Sequence, residues 1–357
     1  RSHERTLRGL PGTRRVEVNV SGRTMRELAL DPATPGPDMQ ITLDHHLQNF
    51  MRVRLEGQSA AAIVMDVTNG DLLGCTSAPS FDPNLFVRGI SSRDYGALRD
   101  SEFRPLADKT VQGAYPPGST YKPFMSLVAL ETGKRTAQQV FADPGYFMFG
   151  NHRFRDDKEG GHGMVDMRRS IVESCDTYYY LLARDMGVDL MHDHLKPLGF
   201  GQYTGIDILG ESRGILPSTE WKRKAYKKPE QQRWYSGETI SLGIGQGYNS
   251  FTMLQLAQAT ATVVNDGVQM RPHLVREVVD PITAERRAIA KEPVAELKYK
   301  PEHLATIRQA LVDVNLFGTS AASFSGAPYT SGGKTGTAQV FTVKQNEKYN
   351  AARIDER

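Results

Sequence analysis

Apolar residues recur every three or four positions through Ile171, Cys175, Tyr178, Leu182 and Met186, which is the spacing of one helix face. On that pattern residues 119–200 are expected to be mostly helical. Leu47, Phe50, Met51 and Leu55 repeat it after Asp44, a residue able to cap a helix start. Further helices are expected over residues 252–264 and 302–316. The period shortens elsewhere. Residues 60–66 and 71–76 are short apolar runs joined by Thr68-Asn69-Gly70, which predicts a β-hairpin. Residues 40–43 read as a short strand and residues 329–343 as a late one. Residues 78–112 show no period and are expected to be irregular loop. Residues 1–38 are polar and basic, with a β-like patch at 16–20 and a Pro-rich exit at 32–37, and read as the end of a separate small module plus a linker. The main domain is then 39–357. Helices between an early hairpin and a late strand predict an α+β fold, an antiparallel sheet flanked by helices, rather than regular βαβ alternation.

Composition adds limits. The chain has 357 residues, 39% hydrophobic and 24% charged, enough for one large core and a smaller appendage. A net charge of +3 and the lack of a dense basic stripe with interleaved aromatics give no case for nucleic acid. The nearest feature, Lys222-Arg223-Lys224 with Lys227-Lys228, reads as a solvated loop, an anionic surface partner being the alternative. No apolar run approaches the ~20 residues that cross a bilayer, and no signal peptide is present. The chain opens on Arg1 rather than Met, so it is expected to be a fragment whose N-terminus has been removed. Cys75 and Cys175 do not make a disulfide framework. Cys75 reads as a small core residue of the hairpin, and His45 and His46 as surface residues at a helix start.

The chemistry gathers first at Gly113-Ala114-Tyr115-Pro116-Pro117-Gly118-Ser119-Thr120-Tyr121-Lys122. Two prolines and a glycine fix the backbone, and Ser119 and Lys122, three apart at a helix start, share a face. A serine hydroxyl is a poor nucleophile until a neighbour takes its proton, and a desolvated lysine can do so. Free N–H groups at the helix start point toward a developing oxyanion. Ser331-Gly332-Gly333-Lys334 matches the same spacing but holds two glycines and precedes a strand-like run, so Ser119 is the nucleophile candidate. The glycines of residues 241–247 miss the phosphate-loop spacing and read as a tight turn before a helix.

Two more signals follow: Ser174-Cys175-Asp176, and Lys334-Thr335-Gly336, which occurs once. Ser-x-Asp recurs at Ser80-Phe81-Asp82 and is weak alone. The ordered trio is the set used by serine β-lactamases and penicillin-binding proteins. A strand bearing Lys-Thr-Gly offers charge, hydroxyl and an uncrowded edge to an extended peptide ending in carboxylate. Lys334 near Lys122 would also favour the neutral, basic form of the latter.

With Leu7-Arg8-Gly9, Val64-Met65-Asp66, Ser80-Phe81-Asp82-Pro83-Asn84, Tyr203-Thr204-Gly205-Ile206-Asp207 and residues 243–247, these motifs make nearly the whole chain resemble the transpeptidase domain of a class B penicillin-binding protein of the elongation type, penicillin-binding protein 2. The resemblance implies a helical subdomain beside the sheet and, in residues 1–38, a remnant of an N-terminal pedestal. It implies a peptidoglycan D,D-transpeptidase. Ser119 would attack the penultimate D-alanine of a stem peptide, Lys122 would take its proton, and Ser174 would relay a proton to the leaving amine with Lys122 and Lys334. Lys334 and Thr335 would bind the substrate carboxylate, Gly336 would leave room for it, and the N–H groups of Ser119 and Thr337 would form the oxyanion hole. A β-lactam would acylate Ser119 and stay. Asp176 stands where Asn is commoner in the wider superfamily; its alternative role is to cap the helix that follows. The chain ends about twenty residues after Gly336, where the family continues with two strands and a helix.

No cofactor is required for that chemistry. Asp143, Asp156, His162 and Cys175 would suit a tetrahedral structural zinc, and similar family members bind one with such a set; Asp157 is the alternative to Asp156. The competing reading is a buried Cys175, a solvated Asp156 and an ordinary loop histidine, and a Cys75–Cys175 disulfide would compete with the metal. By the same resemblance the natural protein is anchored in the bacterial inner membrane, with a periplasmic catalytic domain, beside a SEDS-family glycosyltransferase and other elongation-complex proteins. The alternatives are a β-lactamase or D,D-carboxypeptidase on the same scaffold, and a non-catalytic β-lactam sensor or wall-assembly module.

Overall fold

The computed structural model describes residues 2–338. The chain forms two compact units, Arg1–Thr110 with Thr204–Glu211 and Met270–Val294, and Val111–Tyr203 with Ser212–Gln269 and Ala295–Arg357.

In the first unit Thr13–Val18 and Thr24–Asp31 pair antiparallel as an exposed hairpin. Asp38–Ile41, the expected early strand, lies at the edge of a three-stranded antiparallel sheet with Val275–Val279 at its centre and Arg286–Ala288 beyond. The helix His45–Arg54 is capped by Asp44, whose carboxylate accepts the Leu47 N–H at 2.8 Å. The predicted hairpin is present as Ala60–Met65 and Leu72–Ala78. Asp66 builds its turn by accepting the Thr68 N–H at 2.9 Å, and Gly70, at φ +84°, lies against the Arg271 backbone. Cys75 is half-buried, with Sγ 3.3 Å from the Thr110 hydroxyl, and both cysteines are free thiols. Residues 78–112 are not wholly irregular. They carry a 3₁₀ turn, Pro83–Phe86, and a helix, Ser92–Arg99, capped by Ser91. That helix buries no residue, so it has no apolar period to read.

In the second unit Lys122–Glu131, Asp176–Met186, Val188–Leu195, Met253–Val264 and Pro301–Phe317 enclose the main apolar core. Tyr121, Phe124, Phe200 and Phe251 form a ring cluster at its centre, with Phe200 and Phe251 4.6 Å apart. Residues 119–200 carry helices as expected except between 141 and 165. There Phe141–Asp143 pairs with Gly163–Val165 and Tyr146–Phe149 with His152–Arg155, both antiparallel. The period through Ile171 and Met186 is real but spans two helices, Met167–Val172 and Asp176–Met186, separated at Ser174, whose φ is +63°.

Lys222 corrects another expectation. It lies in the helix Thr219–Ala225, is 3% exposed, and places Nζ 2.5 and 2.6 Å from the Glu238 carboxylate. The rings of Trp234, Tyr235 and Tyr248 stand 5.4–5.5 Å from the same ammonium. Lys224, Lys227 and Lys228 are solvated as expected. The late strand is also corrected. Residues 329–338 join no ladder among the described residues, and Gly333 donates instead to the Leu311 carbonyl at 3.0 Å; residues 339–343 lie outside the described residues. Strand propensity cannot make a strand without a neighbour to pair with. The fold is mixed α and β, with antiparallel sheets and flanking helices.

Candidate active site

The 3₁₀ turn Gly118–Tyr121 runs directly into the helix Lys122–Glu131. Thr120 Oγ1 donates to the Pro117 carbonyl at 2.6 Å and closes the turn. Tyr121 is buried between Phe200 and Phe251 and anchors it to the core. Ser119 is therefore held half-buried on a rigid turn, with Lys122 one turn further on, wholly buried.

Lys122 Nζ donates to the Ser174 carbonyl at 2.5 Å, to Ser174 Oγ at 3.3 Å and to Asp176 Oδ1 at 2.6 Å. Lys334 Nζ reaches the same Ser174 Oγ at 2.8 Å. One hydroxyl thus stands between two amines that are 212 positions apart in sequence (334 − 122). Ser174 presents it from a left-handed backbone position, where a non-glycine residue is uncommon and is held by its surroundings. Burial, reinforced by the Lys122 charge, brings the Lys334 amine down to about 7. Burial pushes the Asp176 carboxyl up, against the pull of Lys122. Asp176 is the first residue of its helix rather than its cap, and its side chain turns to Lys122. The Tyr179 ring lies 5.4 Å from the Lys122 ammonium, a neighbour sequence reading did not single out. Ser331, the rejected match, accepts from Asn315 Nδ2 at 2.9 Å and so serves to hold the chain.

Three glycines bring the site's backbone segments together. A Cβ on Gly336 would lie 2.7 Å from Thr120 Cγ2 and 3.1 Å from the Pro117 carbonyl oxygen, so the Ser119 turn packs closely where a side chain would stand. Gly118, at φ +56°, would place a Cβ 2.5 Å from the Thr337 carbonyl oxygen. Gly245, at φ +72°, would place one 2.9 Å from the Gly118 nitrogen. The loop carrying Gly245 accepts the Gly118 N–H at 3.1 Å and, through Gln246 Nε2, donates to the Thr337 carbonyl at 3.0 Å. Thr335 shares a hydrogen bond with the Thr319 hydroxyl at 2.6 Å. The glycines of 243–247 were legible as a turn, but their contact with Ser119's turn was not.

Directly behind Ser174, Asp143, Asp156, His162 and Cys175 each turn one donor atom toward a common point, all within 4.8 Å of one another. His162 Nδ1 lies 2.8 Å from Asp143 Oδ2 and 3.1 Å from Asp156 Oδ1, and Cys175 Sγ is 3.5 Å from both carboxylates. Asp156 also accepts the Thr177 N–H at 2.7 Å, capping the helix that begins at Asp176. Burial and the two carboxylates push the Cys175 thiol far up. Burial opposes ionisation of Asp143 too, but hydrogen bonds, those from the Gly145 and His162 N–H groups among them, hold it at about 2. Two carboxylates, an imidazole and a thiol converging in a buried place fit a divalent cation, which would offset the repulsion between them. Asp157 lies outside this group, 3.9 Å from His162 Nε2.

Residues 60–355 match the penicillin binding protein transpeptidase domain family. Over 360 residues the chain is 41% identical to the peptidoglycan D,D-transpeptidase MrdA of Escherichia coli, covering all of this chain and 56% of that protein. It is 40% identical to MrdA of Acinetobacter baumannii over 363 residues, covering 52% of it. The chain thus spans about half the length of these relatives. The Pseudomonas aeruginosa PBP2 structure in complex with WCK 5153 superposes with a TM-score of 0.79 at 38% identity, covering 86% of this chain and 69% of that one. The Helicobacter pylori PBP2–MreC complex gives 0.81 at 30% identity, covering 95% and 61%. A turn-borne serine with its lysine, a serine bridging two lysines, and a Lys-Thr-Gly segment packed against that turn occur here in a chain matched along almost its whole length, and the chain belongs to the penicillin-binding protein transpeptidase domain family.

Proposed function

We propose that this chain is the catalytic domain of a peptidoglycan D,D-transpeptidase that cross-links stem peptides during cell-wall elongation and is acylated by β-lactams. The observation that carries the reading is Ser174 Oγ, within 3.3 Å of Lys122 Nζ and 2.8 Å of Lys334 Nζ. Lys122 first passes a proton to Asp176, 2.6 Å away, and as the neutral amine takes the Ser119 proton while Ser119 Oγ bonds to the carbonyl carbon of the penultimate D-alanine. The bond to the terminal D-alanine nitrogen breaks, and that amine leaves with a proton delivered through Ser174. Lys334 and Thr335 hold the substrate carboxylate, and the N–H groups of Ser119 and Thr337 face the oxyanion. The amine of a second stem peptide then takes the acyl group and frees Ser119.

Asp143, Asp156, His162 and Cys175 would hold a structural zinc, which when bound would neutralise the buried anionic donors. Cys175 lies between Ser174 and Asp176, so these ligands fix the backbone that presents the Ser174 hydroxyl. Residues 1–38 read as the end of a pedestal module ahead of the catalytic domain at 39–357. The natural protein is anchored in the bacterial inner membrane with this domain in the periplasm. There it works beside a SEDS-family glycosyltransferase and other elongation proteins. The Helicobacter pylori PBP2–MreC complex supports partnership of this kind.

The test is intact mass after incubation with benzylpenicillin, followed over hours, on the wild type and Ser119→Ala. A lasting adduct absent from Ser119→Ala is expected. An adduct that forms and quickly vanishes would make the protein a β-lactamase, and no adduct on the full-length protein would sink the acyl-enzyme reading.

A further inference from the structure

The Thr337 carbonyl belongs to a segment that joins no strand ladder among the described residues, yet it must stay registered against the nucleophile turn. Close packing sets how near the two segments come: Gly118 leaves the space that Thr337 enters, and Gly336 the space that Thr120 enters. Packing against Gly118 is non-directional; the Gln246 amide adds a directional contact, donating through Nε2 to the Thr337 oxygen at 3.0 Å and so restraining the residue that carries the Thr337 N–H from its carbonyl side.

Gln246 is itself well placed for this. Its loop is bound to the nucleophile turn by the Gly118 N–H to Gly245 carbonyl bond, 3.1 Å, and its own N–H donates to the Ser241 carbonyl at 3.1 Å. Asn249 Nδ2 closes the far end of the loop on the Leu242 carbonyl, also at 3.1 Å. Upstream, the helix Ser236–Leu242 carries Glu238, fixed by the buried Lys222 and by the Tyr248 hydroxyl at 3.0 Å. The segment from Glu238 to Asn249 is thus tied to the Ser119 turn at Gly245 and to Thr337 at Gln246.

We propose that Gln246 is a positioning residue for acyl transfer, holding Thr337 so that its N–H and that of Ser119 aim at one point. The inference rests on the acyl-enzyme reading above. An oxyanion donor stabilises only charge that develops at the place it faces, so small rotations cost rate without costing affinity.

The test is stopped-flow acylation by a chromogenic β-lactam in the full-length protein, comparing wild type, Gln246→Ala and the near-isosteric Gln246→Glu. Gln246→Glu keeps the side-chain size but turns an acceptor toward the Thr337 oxygen. Both variants are expected to lower the limiting acylation rate on the order of tenfold. The pre-covalent dissociation constant and the melting temperature should stay as in the wild type. Wild-type rates in both variants, a Gln246→Glu indistinguishable from wild type, or a change confined to the dissociation constant would overturn the inference. If the wild type forms no Ser119 adduct, the acyl-enzyme reading itself fails and this inference with it.

Discussion

Lys222→Ala separates a buried ion pair from the solvated basic run it resembles in sequence. The side chain is 4% exposed and its partner Glu238 25% exposed, so removing the ammonium leaves a carboxylate mostly shielded from water. Breaking a buried pair from one side costs about 3–5 kcal/mol. Glu238 keeps the Tyr235 N–H at 3.0 Å and the Tyr248 hydroxyl at 3.0 Å, and its remaining exposure lets water in. The lower end, about 3 kcal/mol with the lost ring contacts included, is therefore expected. For a protein of this size that lowers the melting midpoint by roughly 4–8 °C. Differential scanning fluorimetry on wild type, Lys222→Ala and Lys224→Ala makes the comparison. Lys224, whose side chain is 76% exposed, should leave the midpoint unchanged. The pH dependence has a definite sign. Burial would raise the Glu238 carboxyl, but its bonds to Lys222, Tyr235 and Tyr248 bring it below its ordinary value. A lowered carboxyl contributes stability above its unfolded value and loses it as pH falls through the folded one, so the gap between wild type and Lys222→Ala should narrow below roughly pH 4. Equal shifts for Lys222→Ala and Lys224→Ala at neutral pH would refute the reasoning.

Lys334, held near pH 7 by burial and by Lys122, is an ammonium below that pH and a neutral amine above it. The second-order rate of acylation by an anionic β-lactam should fall as pH rises through about 7, and Lys334→Arg, charged throughout, should lose that step; a wild-type profile flat from pH 6 to 8 would count against a carboxylate-binding role. Metal analysis of gently purified full-length protein should find about one zinc per chain, sharply reduced in Cys175→Ser and His162→Ala. Wild-type protein free of zinc, with a melting temperature that added zinc does not raise, would remove the metal from the reading.

Local chemistry in the sequence was enough for the early elements. Asp44 and the apolar residues behind it specify a capped helix, and Thr68-Asn69-Gly70 specifies a hairpin, because both signals act within a few residues. The three motifs singled out the candidate site side chains in the same way, since each carries its chemistry in neighbouring positions. What the sequence missed depends on partners that are distant along the chain. Lys222 looked solvated because Glu238 and its aromatic neighbours lie 12 to 26 positions away (234 − 222 and 248 − 222). The break at Ser174 was invisible because the apolar period continues across it. The late segment was read as a strand on propensity, although a strand exists only with a partner. Composition and spacing named Ser119, Ser174 and Lys334; only packing, through glycines that admit backbone where a Cβ would clash, decided that Gly118, Gly245, Gly336 and Gln246 hold the Ser119 turn against the segment after Lys334, while the Lys122 and Lys334 amines meet at Ser174.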